Sequence, residues 1–273
     1  MICFAVNSIL NRLALIDGVI GSGEFAAIRI ATGAIILFLL VFMRDRSIPI
    51  PARPNFVAII SLSAYMLGFS YAYTIMDAGI GALILFGGVQ MTMFLMALFY
   101  KNSVQWQQWV GMIIALIGMI ILTYPTDTIS ISIKAILLML FAAIGWGVYS
   151  VRGKAVIDPT KTTAWNFIYG AMLVIIIVIL TSERGFITNQ GIILAMISGG
   201  LTSGLGYALW YYIMPELGII KAALAQLCVP VVAIILGALF LNEEISLVVI
   251  ISGLFIFVGI GIGILSKTSN KGH

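Results

Sequence analysis

Residues 228–241, CVPVVAIILGALFL, and residues 245–263, ISLVVIISGLFIFVGIGIG, are two apolar runs separated only by Asn242, Glu243 and Glu244. With their flanking residues, both runs reach the roughly 20 apolar residues that a helix needs to cross the hydrocarbon core of a bilayer. The polar residues between them leave room only for a tight turn. This stretch therefore predicts two adjacent helices that span a membrane.

The same pattern continues through the whole chain. Of its 273 residues, 62% are hydrophobic and only 9% are charged, and the mean hydropathy of +1.17 lies far outside the range of soluble proteins. Short polar or proline-containing segments end each apolar run, and none is long enough for a soluble domain. We predict an all-α integral membrane protein with ten transmembrane helices, at residues 2–16, 24–43, 55–76, 79–100, 104–124, 131–151, 161–181, 190–214, 218–241 and 245–266.

The basic residues predict the orientation of these helices. If the N-terminus is cytoplasmic, ten of the fourteen basic residues fall on the cytoplasmic side, leaving only Arg12, Arg29, Lys134 and Arg184 on or near the other. This is the bias that the positive-inside rule describes. An odd number of spans would place the basic C-terminus on the wrong side. We therefore expect both termini to be cytoplasmic.

The chain contains an internal repeat. Residues 73–76, YTIM, resemble residues 211–214, YYIM, and Gly118 matches Gly259. These and further pairs keep their order at offsets of about 138 to 142 residues. We therefore predict two domains of five helices each, at residues 1–127 and 128–273. Because five is odd, the second domain is inverted relative to the first, which is the architecture of alternating-access transporters.

Three motifs resemble those of a known group. Pro230-Val231 followed by residues 237–243, GALFLNE, is similar to a Pro-Val run ending in Leu-Gly-Glu. Residues 27–30, AIRI, are similar to an Ala-x-Arg-Phe motif, and Trp146-Gly147 resembles the start of a repeat unit. The group is the drug/metabolite transporter superfamily of the EamA type, and the chain looks most like its amino-acid exporters, including those for aromatic amino acids. The resemblance implies ten helices from two inverted five-helix units in the bacterial inner membrane.

This sequence departs from the family pattern in its first half. Val89 and Asn102 stand where the repeat would place Pro and Glu, and Ala5 stands where a Trp would open the first helix. A mechanism that requires the same motif in both halves of the chain is therefore not supported by these positions.

Candidate substrate-binding residues are the polar and aromatic side chains inside the predicted spans, because an unpaired polar group in lipid costs several kcal/mol. In helix 3, Tyr65, Phe69 and Tyr73 share one face. Two aromatic faces with a few amides could stack on an apolar side chain and hydrogen-bond a zwitterionic head group. Packing between helices is the alternative role for these residues. The candidates are Asn7, Tyr65, Tyr73, Gln90, Trp146, Tyr149, Tyr207, Trp210, Tyr211 and Gln226.

Charged residues within the spans are few. Arg29, Lys134 and Lys221 lie within about two turns of a predicted span end, from which their side chains are expected to reach the interface. Phosphorylated substrates, which need a buried cation, are therefore disfavoured. The carboxylates, among them Glu24 and Glu243, also lie at span ends, so we find no proton relay. Facilitated exit down a gradient is at least as well supported as proton antiport.

Several functions are excluded by composition. The single histidine, His273, leaves no metal site and no catalytic dyad, and the chain lacks the GxxxxGK[ST] motif of an ATPase. Basic residues are scattered, so nucleic acid is not an expected partner. We predict a monomeric carrier, without cofactor or enzymatic activity, that exports small neutral or zwitterionic metabolites, in particular amino acids. The alternatives are a broad-specificity drug or metabolite efflux carrier and a channel.

Overall fold

The computed structural model describes residues 1–48, 53–99, 105–124, 131–153, 158–181, 186–210, 226 and 228–265. These residues are almost entirely helical. An isolated bridge between Ile20 and Ile187 is the only β-type pairing within them, so the all-α prediction is confirmed for this part of the chain. The helices are α1 (Ile2–Ile16), α2 (Ser22–Asp45), α3 (Phe56–Ala72), α4 (Ala78–Phe99), α5 (Trp106–Thr123), α6 (Ile133–Gly153), α7 (Pro159–Thr181), α8 (Asn189–Met196), α9 (Cys228–Leu241) and α10 (Leu247–Leu265).

Six helical stretches are long and apolar enough to cross a membrane: Ser22–Asp45, Ala78–Met96, Trp106–Thr123, Ile133–Arg152, Pro159–Thr181 and Asn189–Trp210. Four further apolar helices are shorter in the part of the chain that the structure describes: Ile2–Ile16, Phe56–Ala72, Cys228–Leu241 and Leu247–Gly263. Every predicted span overlaps one of these helices. The count of ten membrane spans itself stays a prediction.

The eighth helical stretch is not a regular α-helix. After α8 the chain forms a π-helical segment, Ile197–Leu205, before it returns to α-helical geometry as far as Trp210. π-Helical turns are rare in proteins, and those that occur are often found at functional sites. Such a turn shifts the faces of the helix on which the following side chains lie. In this segment Ser198, Thr202 and Ser203 are all buried.

Helix α1 lies inside the bundle, where it contacts α4, α8, the π-helical segment and α9. Many large apolar side chains elsewhere are exposed, such as Ile35 and Leu39 on α2 and Leu254 on α10. Apolar surface of this extent would be a liability in water but matches the lipid tails of a bilayer. The remaining main contacts join α5 to α10, α3 to α6 and α7, α2 to α7 and the π-helical segment, and α4 to α6 and α9.

Small residues allow the closest helix contacts. A Cβ atom added to Gly111 would lie 2.4 Å from the carbonyl oxygen of Gly259, and one added to Gly259 would lie 2.5 Å from that of Gly111. In lipid, helices associate through this kind of close backbone approach because there is little hydrophobic driving force between them. The pairing of α5 with α10 therefore depends on these glycines.

Connecting segments meet at two ends of the bundle. Near the start of α2, Gly21 N–H donates to the Phe186 carbonyl at 3.1 Å, beside the bridge between Ile20 and Ile187. Near the end of α2, Arg44 Nη1 donates to Asp158 Oδ1 at 3.3 Å. A helix of 24 residues separates the two by roughly 36 Å. We call the end of the bundle near the start of α2 the Arg12 end, after a residue described below. We call the end of the bundle near the last residues of α2 the Arg44 end.

Replacing Gly259 by alanine should destabilise the protein, because the added methyl group would meet backbone atoms of α5 that cannot turn away. We expect a loss of about 1 to 3 kcal/mol in the free energy of unfolding, typical of overpacking. Gly261→Ala is the matched control, since nothing lies within 4 Å of the position of its Cβ. The check is the midpoint of thermal unfolding of both variants in detergent, and equal midpoints would contradict the packing described here.

Candidate functional site

A small cavity lies at the centre of the bundle. Its volume is about 10 Å³, room for about one water molecule. Phe4, Ser8, Tyr65, Phe69, Leu85, Phe86, Trp146, Tyr207 and Gln226 line it, so its walls come from residues of α1, α3, α4, α6 and the stretch after the π-helical segment. We call it the central cavity.

Aromatic rings form most of the wall of the central cavity. The ring of Trp146 stacks on that of Tyr207 with centroids 5.1 Å apart and an interplanar angle of 20°, and it contacts Tyr65 at 5.0 Å. Phe4 contacts Tyr207 at 5.4 Å and Trp210 at 6.3 Å. Offset and tilted ring pairs of this kind are favourable packing arrangements. A flat apolar group in the central cavity could therefore pack against several ring faces.

Arg29 lies beside this aromatic wall and is 0% exposed. Its Nε donates to Ser203 Oγ at 3.1 Å and its Nη2 donates to Tyr65 Oη, also at 3.1 Å. The guanidinium lies 4.9 Å from the ring centroid of Phe69 and 5.4 Å from that of Tyr65, within the range of cation–π attraction. Its Nη1 is buried and has no hydrogen-bond partner among the described residues.

The prediction that Arg29 reaches the membrane interface is therefore wrong, and packing explains why. Helix α2 begins at Ser22, so Arg29 is already about 10 Å along the helix axis. The backbone of Gly199 also lies against Arg29, since a Cβ atom at Gly199 would be 2.1 Å from the Arg29 carbonyl oxygen. The side chain is directed instead toward Tyr65 and Ser203.

Asn7 connects α1 to the π-helical segment. Its Oδ1 accepts hydrogen bonds from the hydroxyls of Ser198 and Thr202, and its Nδ2 donates to Ser203 Oγ at 3.1 Å. Asn7 is thus fully engaged, and through Ser203 it belongs to the same hydrogen-bonded group as Arg29. The shared hydrogen bonds of Asn7, Ser203 and Arg29 hold α1, α2 and the π-helical segment against one another.

Arg12 holds together the turn between α3 and α4. Its Nη1 donates to the carbonyl oxygens of Tyr73 and Thr74 at 3.1 and 3.2 Å, and its Nη2 forms an ion pair with Asp77 at 3.2 Å. Its Nε lies 3.9 Å from a carboxylate oxygen of Glu243. One cation therefore links α1 to the α3–α4 turn and to the α9–α10 turn, and this set of contacts closes the Arg12 end.

Glu243 caps the start of α4. Its two carboxylate oxygens accept hydrogen bonds from Ala78 N–H at 2.7 Å and Gly79 N–H at 3.3 Å, where a helix N-terminus favours negative charge. Asn242 permits this by adopting a left-handed conformation (φ 53°) after α9, and Glu243 N–H then donates to the Gly237 carbonyl. Burial raises the pKa of Glu243, against the lowering effect of these hydrogen bonds and of Arg12.

The structure brings together six of the ten predicted binding residues. Tyr65, Trp146, Tyr207 and Gln226 line the central cavity, Tyr149 packs on Trp146 with centroids 5.8 Å apart, and Trp210 contacts Phe4. Their role in binding stays a prediction.

The other four candidates lie elsewhere. Asn7 bonds to the π-helical segment as described, and the Tyr73 hydroxyl donates to the Ala78 carbonyl at 3.2 Å, toward the Arg12 end. Gln90 is partly buried in α4 and is not among the residues that line the cavity. Tyr211 falls outside the described residues.

Sequence reasoning did not select several residues at the site, namely Phe4, Ser8, Phe69, Arg29 and Ser203. The spacing placed Phe69 on the same helical face as Tyr65, but Phe69 was not included among the candidates. Phe4 lies in an apolar run with no signal to distinguish it. The position of Arg29 depends on contacts with α3 and the π-helical segment, which are far away in the sequence.

A bundle of apolar helices around a partly polar cavity is typical of a membrane transporter. Comparisons with known proteins agree with this class. The EamA-like transporter family matches in two stretches, residues 1–124 and 133–264. The chain therefore belongs to the EamA-like transporter family, within the drug/metabolite transporter superfamily.

Individual relatives extend over most of the chain. An uncharacterized protein of Pseudomonas aeruginosa is 37% identical over 246 residues, which are 90% of this chain and 85% of the relative. The uncharacterized transporter YoaV of Bacillus subtilis is 24% identical over 252 residues, 86% of this chain and 85% of that protein. A solved crystal structure has a TM-score of 0.68 at 16% identity and covers 96% of this chain and 95% of that chain, a likeness of fold alone.

Lowering the pH should increase the stability of the folded wild type more than that of the variant Glu243→Gln. Because burial raises the pKa of Glu243, the folded protein binds this proton more tightly than the unfolded chain does. The wild type therefore gains stability as the pH falls through the raised pKa toward the ordinary value of about 4.3, while the glutamine variant lacks this contribution.

The check is the unfolding midpoint in detergent of the wild type, Glu243→Gln and Glu244→Gln at several pH values. Glu244 is the exposed neighbour, so its variant should follow the wild type. Parallel curves for the wild type and Glu243→Gln would contradict the assignment.

Proposed function

We propose that this protein is a carrier that exports small neutral or zwitterionic metabolites, in particular amino acids including aromatic ones, by alternating access. The observation that carries the proposal is the central cavity, where ring faces and hydrogen-bonding groups from both halves of the chain converge. Phe4, Tyr65 and Phe69 come from the first half, and Trp146, Tyr207 and Gln226 come from the second. A site shared between two repeats is what alternating access requires.

The contacts between helices support an inverted repeat of residues 1–127 and 128–273. In this repeat the counterparts of α1 to α5 are, in order, α6, α7, α8 with the π-helical segment, α9 and α10. Exchanging each helix with its counterpart turns the contact of α3 with α6 into that of α1 with α8 and the π-helical segment. The same exchange turns α4 with α6 into α1 with α9, and α3 with α7 into α2 with the π-helical segment. The pairs of α2 with α7, α4 with α9 and α5 with α10 map onto themselves. The two stretches matched by the family agree with these halves.

Individual glycines support the same relation. A Cβ atom at Gly118 would lie 2.8 Å from the carbonyl oxygen of Ser252, just as one at Gly259 would lie 2.5 Å from that of Gly111. A shift of 141 residues takes Gly118 to Gly259 and Gly111 to Ser252, so it exchanges the two contacts. A two-fold axis between α5 and α10 produces this result.

The two ends of the bundle supply the elements for gating. With both termini in the cytoplasm, the Arg12 end faces outward and the Arg44 end faces inward, in agreement with the bias of basic residues. Contacts of Arg12 with Asp77 and Glu243 close one end, and Arg44 contacts Asp158 at the other. We infer that a substrate is held in an occluded state when both sets of contacts are formed, and that each set opens in turn.

A carrier is favoured over a channel by the size of the central cavity. A volume of about 10 Å³ holds no hydrated ion and no metabolite, so the bundle must rearrange to admit a substrate. A rearrangement in every cycle produces saturation and counterflow, whereas an open pore produces neither. These kinetics therefore separate the two functions.

The experiment is uptake of labelled phenylalanine or alanine into liposomes that contain the purified protein and are preloaded with the same unlabelled amino acid. Tyr207→Ala removes ring surface from the cavity wall, and Trp210→Ala removes the ring that packs on the lining residue Phe4. Both should weaken phenylalanine uptake by roughly tenfold, with a smaller effect on alanine. Trp109→Ala is the control, because Trp109 is 43% exposed and contacts Phe94 outside the cavity.

Equal losses in the three variants would contradict the assignment of the cavity. Absence of counterflow for every amino acid in the wild type would contradict the proposed substrate class. Uptake that neither saturates nor responds to preloading would instead identify a channel.

A further inference from the structure

Arg29 is a buried cation, and in the part of the chain that the structure describes it has no anion beside it. Among the described residues, no carboxylate oxygen lies within 4.0 Å of its guanidinium; the ion pairs found there belong to Arg12 and Arg44. Ser203 and Tyr65 supply neutral oxygen acceptors for Nε and Nη2, and Nη1 has no acceptor in this part of the chain. The positive charge is therefore hydrogen-bonded in part but is not neutralised.

Such an arrangement is costly unless an anion completes it. A charge moved from water to a protein interior loses several kcal/mol of hydration, and one or two neutral hydrogen bonds recover only part of this. The rings of Phe69 and Tyr65 reduce the cost further without removing it. If Arg29 served packing alone, an apolar side chain of similar size at this position would give a more stable protein.

The guanidinium of Arg29 lies behind the wall of the central cavity, although Arg29 is not itself among the residues that line it. Tyr65 and Phe69 both contact the guanidinium and both line the cavity. The hydroxyl of Tyr207, on the cavity wall, is likewise buried; it lies near the Tyr65 hydroxyl but makes no hydrogen bond of good geometry with the described residues. A carboxylate placed between Arg29 and Tyr207 would accept hydrogen bonds from Nη1 and from the Tyr207 hydroxyl, and charge-assisted bonds of this kind are strong.

We propose that Arg29 binds the carboxylate group of the transported amino acid, so that apolar or aromatic carboxylic acids without an amino group are also ligands of this site. This inference rests on the proposed function and makes it more specific. No carboxylate of the chain lines the cavity in the described residues, so nothing there neutralises an ammonium group. Recognition therefore depends on the carboxylate, and the amino group of an amino acid is dispensable.

Four probes that share a phenyl ring and a two-carbon spacer test this assignment: phenylalanine, 3-phenylpropionate, phenethyl alcohol and phenethylamine. Their affinities are measured from the shift each produces in the unfolding midpoint of the full-length protein in detergent. The two carboxylates should raise the midpoint of the wild type, and the alcohol and the amine should bind at least tenfold more weakly.

Variants at position 29 give the second arm of the experiment. Arg29→Gln should lose at least tenfold in affinity for both carboxylates and leave the weak binding of the alcohol unchanged. Arg29→Lys keeps a cation and should retain part of the preference for carboxylates. Arg53→Gln removes an exposed arginine and is the matched control.

A purely structural role for Arg29 has a different signature. It predicts that Arg29→Gln lowers the unfolding midpoint without ligand and weakens all four probes equally, a result that would overturn the inference. Equal binding of the acid and the alcohol to the wild type would overturn it as well. If Arg29→Gln does not fold, the preference for carboxylates in the wild type and its reduction in Arg29→Lys still decide the matter.

The proposed function fails separately from this inference. If phenylalanine shows counterflow and Arg29→Gln transports it normally, the carrier stands and the carboxylate site is wrong. If both carboxylates bind through Arg29 and none of the probes is transported, the site stands and the carrier function is wrong.

Discussion

A charged guanidinium inside a helical bundle has to find its partners within the protein, because lipid offers none. Arg29 is held in this way, and the residues that hold it come from three distant parts of the chain: Tyr65 and Phe69 on α3, and Ser203 on the π-helical segment. Asn7 adds α1 through its hydrogen bond to Ser203. The requirement to surround one charge therefore fixes the positions of α1, α2, α3 and the π-helical segment around the central cavity.

The sequence predicts the elements well and their contacts poorly. Apolar runs locate the helices because the length of a run depends only on nearby residues, and helical spacing places Tyr65, Phe69 and Tyr73 on one face. The burial of Arg29 was not predicted, because it depends on the close approach of Gly199, 170 residues away. The π-helical geometry that lets Ser198 and Thr202 meet Asn7 also has no local signature.

If the two halves exchange roles, the small central cavity and the contacts at both ends of the bundle belong to one occluded state. Arg12 and Glu243 tie the α3–α4 turn of the first half to the α9–α10 turn of the second half. Opening this end separates charges that stabilise each other, so other interactions, such as those with the substrate, must compensate if the open and occluded states are to have similar free energies. At the opposite end Arg44 and Asp158 are in contact, and this pair separates when that end opens in turn.

Distances between spin labels at both ends of the bundle test this exchange most directly. With Cys3 and Cys228 replaced by serine, one pair of labels at Ile75 and Ile245 reports on the Arg12 end, and a second pair at Met43 and Thr160 reports on the Arg44 end. We predict that adding phenylalanine to the protein in liposomes shifts the two distances in opposite directions, and that no population has both distances long. A single unchanged distance at each end, or a joint increase at both, would contradict alternating access.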